Sequence, residues 1–292
     1  MRSVTKPLRA LAHHCLLVAG LGFVAALLSA ALVRNSPGYG VDARELDPRL
    51  NSESIEALRH KQSLGEGIGF YLRYIRSVLH GEFGTSESLG RPIKELLVER
   101  YPVTRNSVLF GLLAAWTISL TWALVEIVFS GWFLEAASRT VVSVLISLPA
   151  AVIALLFLYL RGPVSLAIAL VILPRLYRYI RNLFTHCYES PHILAAQASG
   201  LRARRVFICH VVPNVAPPLI ALLGVSVSMA VGASIPIEVF CDSPGLGQLA
   251  WQGALNRDVP LIVSITFLIA LLTLGANMVA DLGSRALTGE VQ

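Results

Sequence analysis

The residues best suited to a functional role are concentrated in residues 188–214, a polar and basic stretch between two apolar runs. Ser190 and Pro191 are typical of a helix start, because a serine hydroxyl caps free N–H groups and a first-turn proline needs no partner. Gly200 suits the left-handed conformation that ends a helix. A second short helix is expected from about Arg202 to Val212.

The expected second helix combines an apolar stripe with a basic edge. Val206 and His210 are four residues apart and therefore share one face, while arginines crowd the first turn. Pro213 is expected to end the helix, because it removes a donor and clashes with the preceding turn. A helix of this length cannot span a bilayer. These residue types indicate docking onto a partner rather than catalysis.

Motifs for catalysis or for cofactor binding are missing from the sequence. It contains no Gly-x4-Gly-Lys-Ser/Thr loop to cradle phosphates, no His-Glu-x-x-His metal motif and no Gly-x-Ser-x-Gly nucleophile elbow. The cysteines lie far apart without metal-ligand spacing, at Cys15, Cys187, Cys209 and Cys241. We therefore predict no catalytic residue, no cofactor and no metal, and expect any ATP to be hydrolysed by another chain.

The elements that carry these residues are predicted to be membrane helices. Of 292 residues 55% are hydrophobic and 14% are charged, and the mean hydropathy is +0.66. Such values are far from those of soluble proteins. The predicted fold class is an all-α polytopic membrane protein with about six transmembrane helices. The net charge of +6 then reflects membrane topology better than nucleic-acid binding.

The apolar runs define three predicted regions. Residues 1–33 hold an N-terminal tail and a first helix, for which a secretory signal peptide is the competing interpretation. Residues 34–106 form an extracytoplasmic loop, with a short amphipathic helix over 71–79. Residues 107–292 form the transmembrane core. The six predicted spans are 10–33, 107–129, 141–160, 163–180, 218–240 and 261–278.

The distribution of basic residues predicts the orientation. Residues 174–213 contain six arginines against one acid, Glu189, and basic loops stay in the cytoplasm. Both termini are therefore expected inside. Glu126 lies within the second predicted span, where a carboxylate is costly and often functional. Its position near the cytoplasmic end leaves two alternatives open, interfacial anchoring or a role in a transport pathway.

Residues 188–214 resemble the cytoplasmic coupling loop of ABC importer permeases, in the variant of the dipeptide, oligopeptide and nickel permease family. In that family this loop sits in a groove of a separate ATPase subunit and transmits its closure to the membrane helices. The chain departs from the pattern at Leu194, where the motif has glutamate, and at Arg202, where relatives usually have a capping serine. The resemblance implies ATPase coupling by Ala195, Ala196, Gly200, Leu201, Val206, His210 and Asn214.

Two further segments resemble the same family. Residues 81–86 are similar to the Gly-Asp-Leu-Gly-x-Ser signature of its first external loop. Residues 238–260 are similar to its Glu-x-Val-Phe-x-x-Pro-Gly-Leu-Gly segment and the following Arg-Asp-x-Pro step. In the family this last segment is an external re-entrant turn near the translocation path. The resemblance implies such a place for Glu238, Phe240, Pro244, Gly245, Gly247, Arg257 and Asp258.

The resemblance implies a permease subunit of an ABC importer in the bacterial cytoplasmic (inner) membrane. Its implied partners are a second permease subunit, alike or different, two ATP-binding subunits and an extracytoplasmic substrate-binding protein. The implied cargo is a peptide, a nickel chelate or a similar small solute, and the shortened segments 130–140 and 161–163 leave the choice open. The alternative is a self-contained ion-coupled carrier or an intramembrane enzyme. That alternative needs ionisable residues near mid-membrane, and Glu126 is the only candidate in the predicted spans.

Overall fold

A computed structural model describes residues 83–129 and 131–288, together with 20–22, 24–25, 28–29 and 31–32. The described positions between 20 and 32 are helical, within the first predicted span. The rest of that span, most of the predicted external loop 34–106 and the amphipathic helix expected over 71–79 lie outside the described residues.

The described part of the chain is helical, which agrees with the predicted all-α class. It contains no β-strand in 83–129 or 131–288, and Thr85 and Pro92 form an isolated antiparallel bridge. The helices are α1 (Ile93–Val128), α2 (Trp132–Ser147), α3 (Ala150–Tyr159), α4 (Val164–Tyr188), α5 (Pro191–Ala198), α6 (Ala203–Val206), a π-helix (Phe207–Val211), α7 (Val212–Phe240), α8 (Leu246–Leu255) and α9 (Val259–Thr288).

Three continuous helical stretches in the described residues are long and apolar enough to cross a membrane: Ile93–Val128, Ala203–Phe240 and Val259–Leu287. They contain the second, fifth and sixth predicted spans. The helix α4 is also long enough, but three arginines from its middle onward, Arg175, Arg178 and Arg181, make it less apolar than these stretches. It continues through Pro174, which is buried.

The third predicted span, 141–160, is not one straight helix. The helices α2 and α3 meet at an angle of 91°. The cause is local, because Leu148 precedes Pro149 and a residue before proline is pushed out of the helical region. Both residues have extended backbone angles, with ψ of 123° and 142°. The segment is therefore a bent helix pair, which forms either a broken span or a re-entrant loop.

The chain divides into two compact units. The larger unit contains 101–248 and 272–292, and its core lies where α4 and α7 pack on each other and on α3. Small residues allow close approach of the helices. A Cβ on Gly111 would lie 2.7 Å from the Ser165 carbonyl oxygen, and a Cβ on Gly224 would lie 2.8 Å from the Asn277 Cα. Such small-residue contacts are typical of membrane helix pairs.

The smaller unit contains the described residues of 17–100 and 249–271. Its buried apolar side chains lie at the start of α1, on α8 and on the first half of α9, and include Ile93, Leu96, Leu249, Leu261 and Val263. Ser29 and Thr266 bring their hydroxyl oxygens to 3.3 Å. The unit thus contains the turn that precedes α1 and the start of α9.

Candidate functional site: a coupling segment and an external turn

The predicted coupling segment begins as the sequence indicates. The helix α5 starts at Pro191 and ends at Ala198, and Gly200 follows with φ of +76°. The amide of Gly200 donates to the Gln197 carbonyl oxygen over 2.9 Å. One detail differs from the prediction, because the Ser190 hydroxyl does not cap α5. It donates instead to the Cys187 carbonyl oxygen at the end of α4, over 2.5 Å.

The second half of the segment differs from the prediction. Pro213 does not end a short helix, because α6, the π-helix and α7 form one continuous stretch of 38 residues, Ala203–Phe240. The π-helix explains this tolerance. Its wider turn places the Val212 amide on the Phe207 carbonyl oxygen, so the proline follows in the first turn of α7, where its missing N–H is least costly. As predicted from Arg202, no side chain caps the start of α6.

The apolar stripe of the segment faces inward, contrary to the prediction. Val206 is 1% exposed and packs in the core of the larger unit, as does Ala196 on α5. Leu201 is partly buried against the same core. These predicted coupling residues therefore support the segment from within and do not offer a docking surface themselves.

Asn214 joins the two halves of the segment. Its side-chain amide donates to the His210 carbonyl oxygen over 2.7 Å and lies 3.0 Å from Nε2 of His192 on α5. Asn214 therefore braces the segment from within, through the backbone of His210 and the side chain of His192. His192 was missed by the sequence analysis, and no local signal pairs it with a residue 22 positions away.

The exposed surface of the segment is formed by other residues. Leu194 and Ile208 are 52% and 51% exposed. Ala195, Gly200 and the segment's arginines, Arg202, Arg204 and Arg205, are exposed too. Leu194 entered the sequence analysis only as a departure from a motif. Its exposure follows from helical spacing, since Ile193 and Ala196 share the buried face.

An open, mainly apolar groove of about 880 Å³ lies beside this surface. It runs between the coupling segment and the ends of α1 and α4. Its walls include Leu124, Ile127, Tyr188, Leu194 and Phe207. Leu194 therefore borders both the groove and the exposed surface of the segment.

The predicted external turn is built around Glu238. Its side chain is completely buried, and one carboxylate oxygen accepts the Gly247 amide over 2.7 Å. The Thr104 hydroxyl of α1 accepts the neighbouring Leu246 amide over 2.7 Å. The two side chains thus satisfy two of the free donors at the start of α8, which carries a positive partial charge.

The glycines of the turn are required by this carboxylate. A Cβ on Gly245 would lie 2.3 Å from a Glu238 carboxylate oxygen, and one on Gly247 would lie 2.6 Å from the Ile235 Cα. Neither position has room for a side chain. The Pro-Gly-Leu-Gly spacing of the sequence is therefore explained by a buried acid that the turn encloses.

Two residues without the freedom of glycine end the helices around the turn. Asp242 follows α7 with φ of 50°, and Arg257 follows α8 with φ of 53°. After each helix two backbone amides bond back in the Schellman pattern, including Ser243 to the Glu238 carbonyl oxygen over 2.9 Å. Phe240 is 42% exposed and Pro244 is exposed.

Asp258 connects two motifs that are far apart in sequence. Its buried carboxylate accepts the Ser86 hydroxyl over 2.5 Å, and the Ser88 amide and hydroxyl over 3.0 and 2.8 Å. The other oxygen accepts the Leu261 amide over 3.1 Å and so caps α9. The turn at 84–93 is closed by its own backbone bonds, with Gly84 at φ of 69°.

Glu126 is paired with residues of α4. It accepts a hydrogen bond from the Tyr177 hydroxyl and one from Arg181 Nε over 2.6 Å. Arg175 and Arg178 are exposed as predicted, but Arg181 turns inward to this acid. Glu126 therefore forms an ion pair between α1 and α4.

No metal-binding arrangement is found within the described residues, where no group of three or more His, Cys, Asp and Glu side chains converges. The cysteines described are unpaired thiols. Cys241 donates to the Ala154 carbonyl oxygen over 3.4 Å, and burial raises the pKa of its thiol. It serves packing at the end of α7.

Long apolar helices, a basic segment between two of them and a turn built around a buried acid are the features of a multi-pass membrane protein. Residues 107–291 match the family of binding-protein-dependent transport system inner membrane components, and the chain belongs to this family. It is a transmembrane permease of an ABC importer, located in the inner membrane. This finding favours the permease over the self-contained carrier or enzyme.

Two curated relatives cover most of the chain. The nickel import system permease protein NikB of Staphylococcus aureus (strain USA300) is 25% identical over 277 residues, which is 89% of this chain and 84% of NikB. The oligopeptide transport system permease protein AppB of Bacillus subtilis (strain 168) is 25% identical over 287 residues, which is 88% of this chain and 90% of AppB.

Proposed function

We propose that this permease couples ATP hydrolysis by a separate subunit to the import of a small solute, through the surface around Leu194, Gly200 and Arg204. The observation that carries the proposal is the 38-residue helical stretch Ala203–Phe240. At 1.5 Å per residue it is roughly 57 Å long, more than a bilayer core of about 30 Å. A displacement of the coupling segment is thereby carried to the level of Glu238 in the external turn.

The functional complex in this proposal contains two permease subunits, alike or different, two ATP-binding subunits and an extracytoplasmic binding protein. The permease has six spans, both termini in the cytoplasm and residues 34–106 outside. ATP is hydrolysed only by the ATP-binding subunits, because this sequence has no phosphate-binding loop. The family membership and the basic character of 174–213 support this arrangement.

The proposed cargo is a peptide, a nickel chelate or a solute of similar size. One relative named for nickel import and one named for oligopeptide transport are equally identical to the chain. We place the external turn, from Glu238 and Phe240 to Arg257 and Asp258, beside the translocation path. The exposed Phe240 and Pro244 support this position, since most of the turn's other groups are engaged within the protein.

The test is reconstitution of the complete importer in proteoliposomes, with the binding protein loaded with a labelled peptide or with a Ni²⁺ chelate. The cargo is identified first from the ligand that co-purifies with the binding protein. We expect uptake that requires ATP and all subunits, and no ATP hydrolysis by the purified permease alone. Uptake by the permease without the ATP-binding subunits would contradict the proposal.

A further inference from the structure

A second link between the coupling segment and the membrane helices lies at the end of α4. Arg181 Nε donates to Glu126 over 2.6 Å, and its Nη2 donates to Glu135 over 2.7 Å. Glu126 stands two residues before the end of α1, and Glu135 lies in the first turn of α2. One guanidinium therefore binds both sides of the short turn between α1 and α2.

The surroundings hold this arrangement rigidly. Tyr177, one helical turn before Arg181, also donates to Glu126, and its ring lies 4.7 Å from that of Trp122 on α1. The Trp122 indole in turn donates to the Ser138 hydroxyl on α2 over 2.9 Å. The planar guanidinium fork has fixed donor directions. The three helices are thus joined at one point with little freedom.

The position of Arg181 along the chain connects this junction of three helices to the coupling segment. It precedes Tyr188, the last residue of α4, by about two helical turns, and the coupling helix α5 begins at Pro191. Because α5 follows α4 after two residues, a shift or rotation of α5 also displaces the end of α4. Because Arg181 ties α4 to the α1–α2 turn, the same motion reaches α1 and α2.

We propose that Arg181 is a positioning residue which transmits motion of the coupling segment to α1 and α2. The inference rests on the proposed function and adds a second route beside the Ala203–Phe240 stretch. This route continues to the bend between α2 and α3, because α2 leads directly into that bend. A partly buried, hydrogen-bonded ion pair suits the task, because it specifies one geometry more than it adds stability.

The chain offers a matched control. Arg139 also approaches Glu135, over 3.6 Å, but it lies one turn away on the same helix and is 66% exposed. Loss of Arg139 removes a positive charge from Glu135 without separating any helices. Loss of Arg181 removes the same kind of charge together with the hydrogen bonds that join α4 to Glu126 on α1 and to Glu135 on α2.

The experiment compares Arg181→Gln, Glu135→Gln and Arg139→Gln in the reconstituted importer, with ATP hydrolysed and solute imported measured in the same vesicles. We expect Arg181→Gln and Glu135→Gln to assemble with the ATP-binding subunits and to hydrolyse ATP. Solute imported per ATP should fall at least about fivefold, the lower end of usual coupling between sites. Arg139→Gln should stay within about twofold of the unaltered protein, and Arg181→Lys, a point charge without the fork, should be intermediate.

Unchanged import per ATP in Arg181→Gln and Glu135→Gln would overturn the inference while the proposed function stands. Parallel loss of subunit assembly, hydrolysis and import in Glu135→Gln would also overturn it, since the pair would then be needed only for folding. Failure of the unaltered importer to show ATP-dependent uptake would instead refute the proposed function. The three results are distinguishable in one set of vesicles.

Discussion

Ser86 and Asp258, 172 positions apart in sequence, share a hydrogen bond of 2.5 Å in a buried site. This bond joins the turn before α1 to the first residue before α9. It also joins two segments, 81–86 and 238–260, that each resemble a permease motif and that lie far apart in the sequence. The carboxylate has four donors in all, so the two motifs form one structural site.

Asp258→Ala should lower the stability of the permease by about 3 kcal/mol or more, because it leaves the buried donors of Ser86 and Leu261 and the half-buried donors of Ser88 without this acceptor. The measurement is the thermal unfolding of the purified protein in detergent. Asp242→Asn is the control, since Asp242 is exposed, its carboxylate accepts from the Gln248 side chain, and asparagine tolerates its φ of 50°. Equal midpoints for the two variants would contradict this account.

Gly245→Ala should destabilise the external turn by about 1–3 kcal/mol, the usual cost of overpacking. The added methyl group would displace the Glu238 carboxylate, which holds the start of α8. Gly232→Ala is a matched control on α7, where a Cβ meets nothing within 4 Å. That variant should be neutral or more stable, because alanine favours a helix. The unfolding midpoints of both proteins check the prediction.

Gly200→Val should insert into the membrane normally and lose ATPase association and transport together. Its left-handed backbone costs a β-branched residue about 1–2 kcal/mol, although a Cβ there meets nothing within 4 Å. The conservative variant Gly200→Asn should retain both activities, since asparagine tolerates this conformation. Pull-down of the ATP-binding subunit and import assays test the pair. Full activity of Gly200→Val would show that the segment is only a connector.

Leu194→Asp and Val206→Asp should distinguish a loss of ATPase docking from a loss of protein stability. Leu194 is exposed, so its variant should keep the unfolding midpoint and lose ATPase binding. Val206 is buried, so a carboxylate there has no water and no partner, and the protein itself should be destabilised. Pull-down and thermal unfolding are measured on the same preparations. A Val206→Asp protein that is stable but does not bind the ATPase would contradict the inward position of Val206 and would support the predicted docking stripe.

Ser54→Cys should react with an impermeant thiol reagent in intact cells, because the proposed topology places 34–106 outside. Cys209, which is exposed on the coupling segment, serves as an internal control and should react only after lysis. Mass spectrometry of the labelled peptides assigns each site. Protection of residue 54 until lysis would contradict the topology.

The sequence alone determined the all-α membrane class, the start of α5 at Pro191 and the left-handed Gly200. Each depends on local composition or on the backbone preferences of single residues, which are properties of the chain itself. The seven predicted coupling residues and the seven predicted turn residues follow from the resemblance of two segments to a permease family, and they stay a prediction. Their spacing did not reveal that Val206 faces the core or that Asn214 braces His192.

Only the tertiary structure determined which residues contact one another. The bend at Leu148–Pro149 follows a local rule, but the sequence does not indicate whether neighbouring helices accept a kink there or a straight span. The continuity of Ala203–Phe240 through Pro213 requires a π turn, which no residue pattern in the sequence predicts. The pairings of Arg181 with Glu126 and Glu135, and of Ser86 with Asp258, join residues that are at least 46 positions apart. Such contacts form because buried polar groups must find partners, and helix packing determines which partners are within reach.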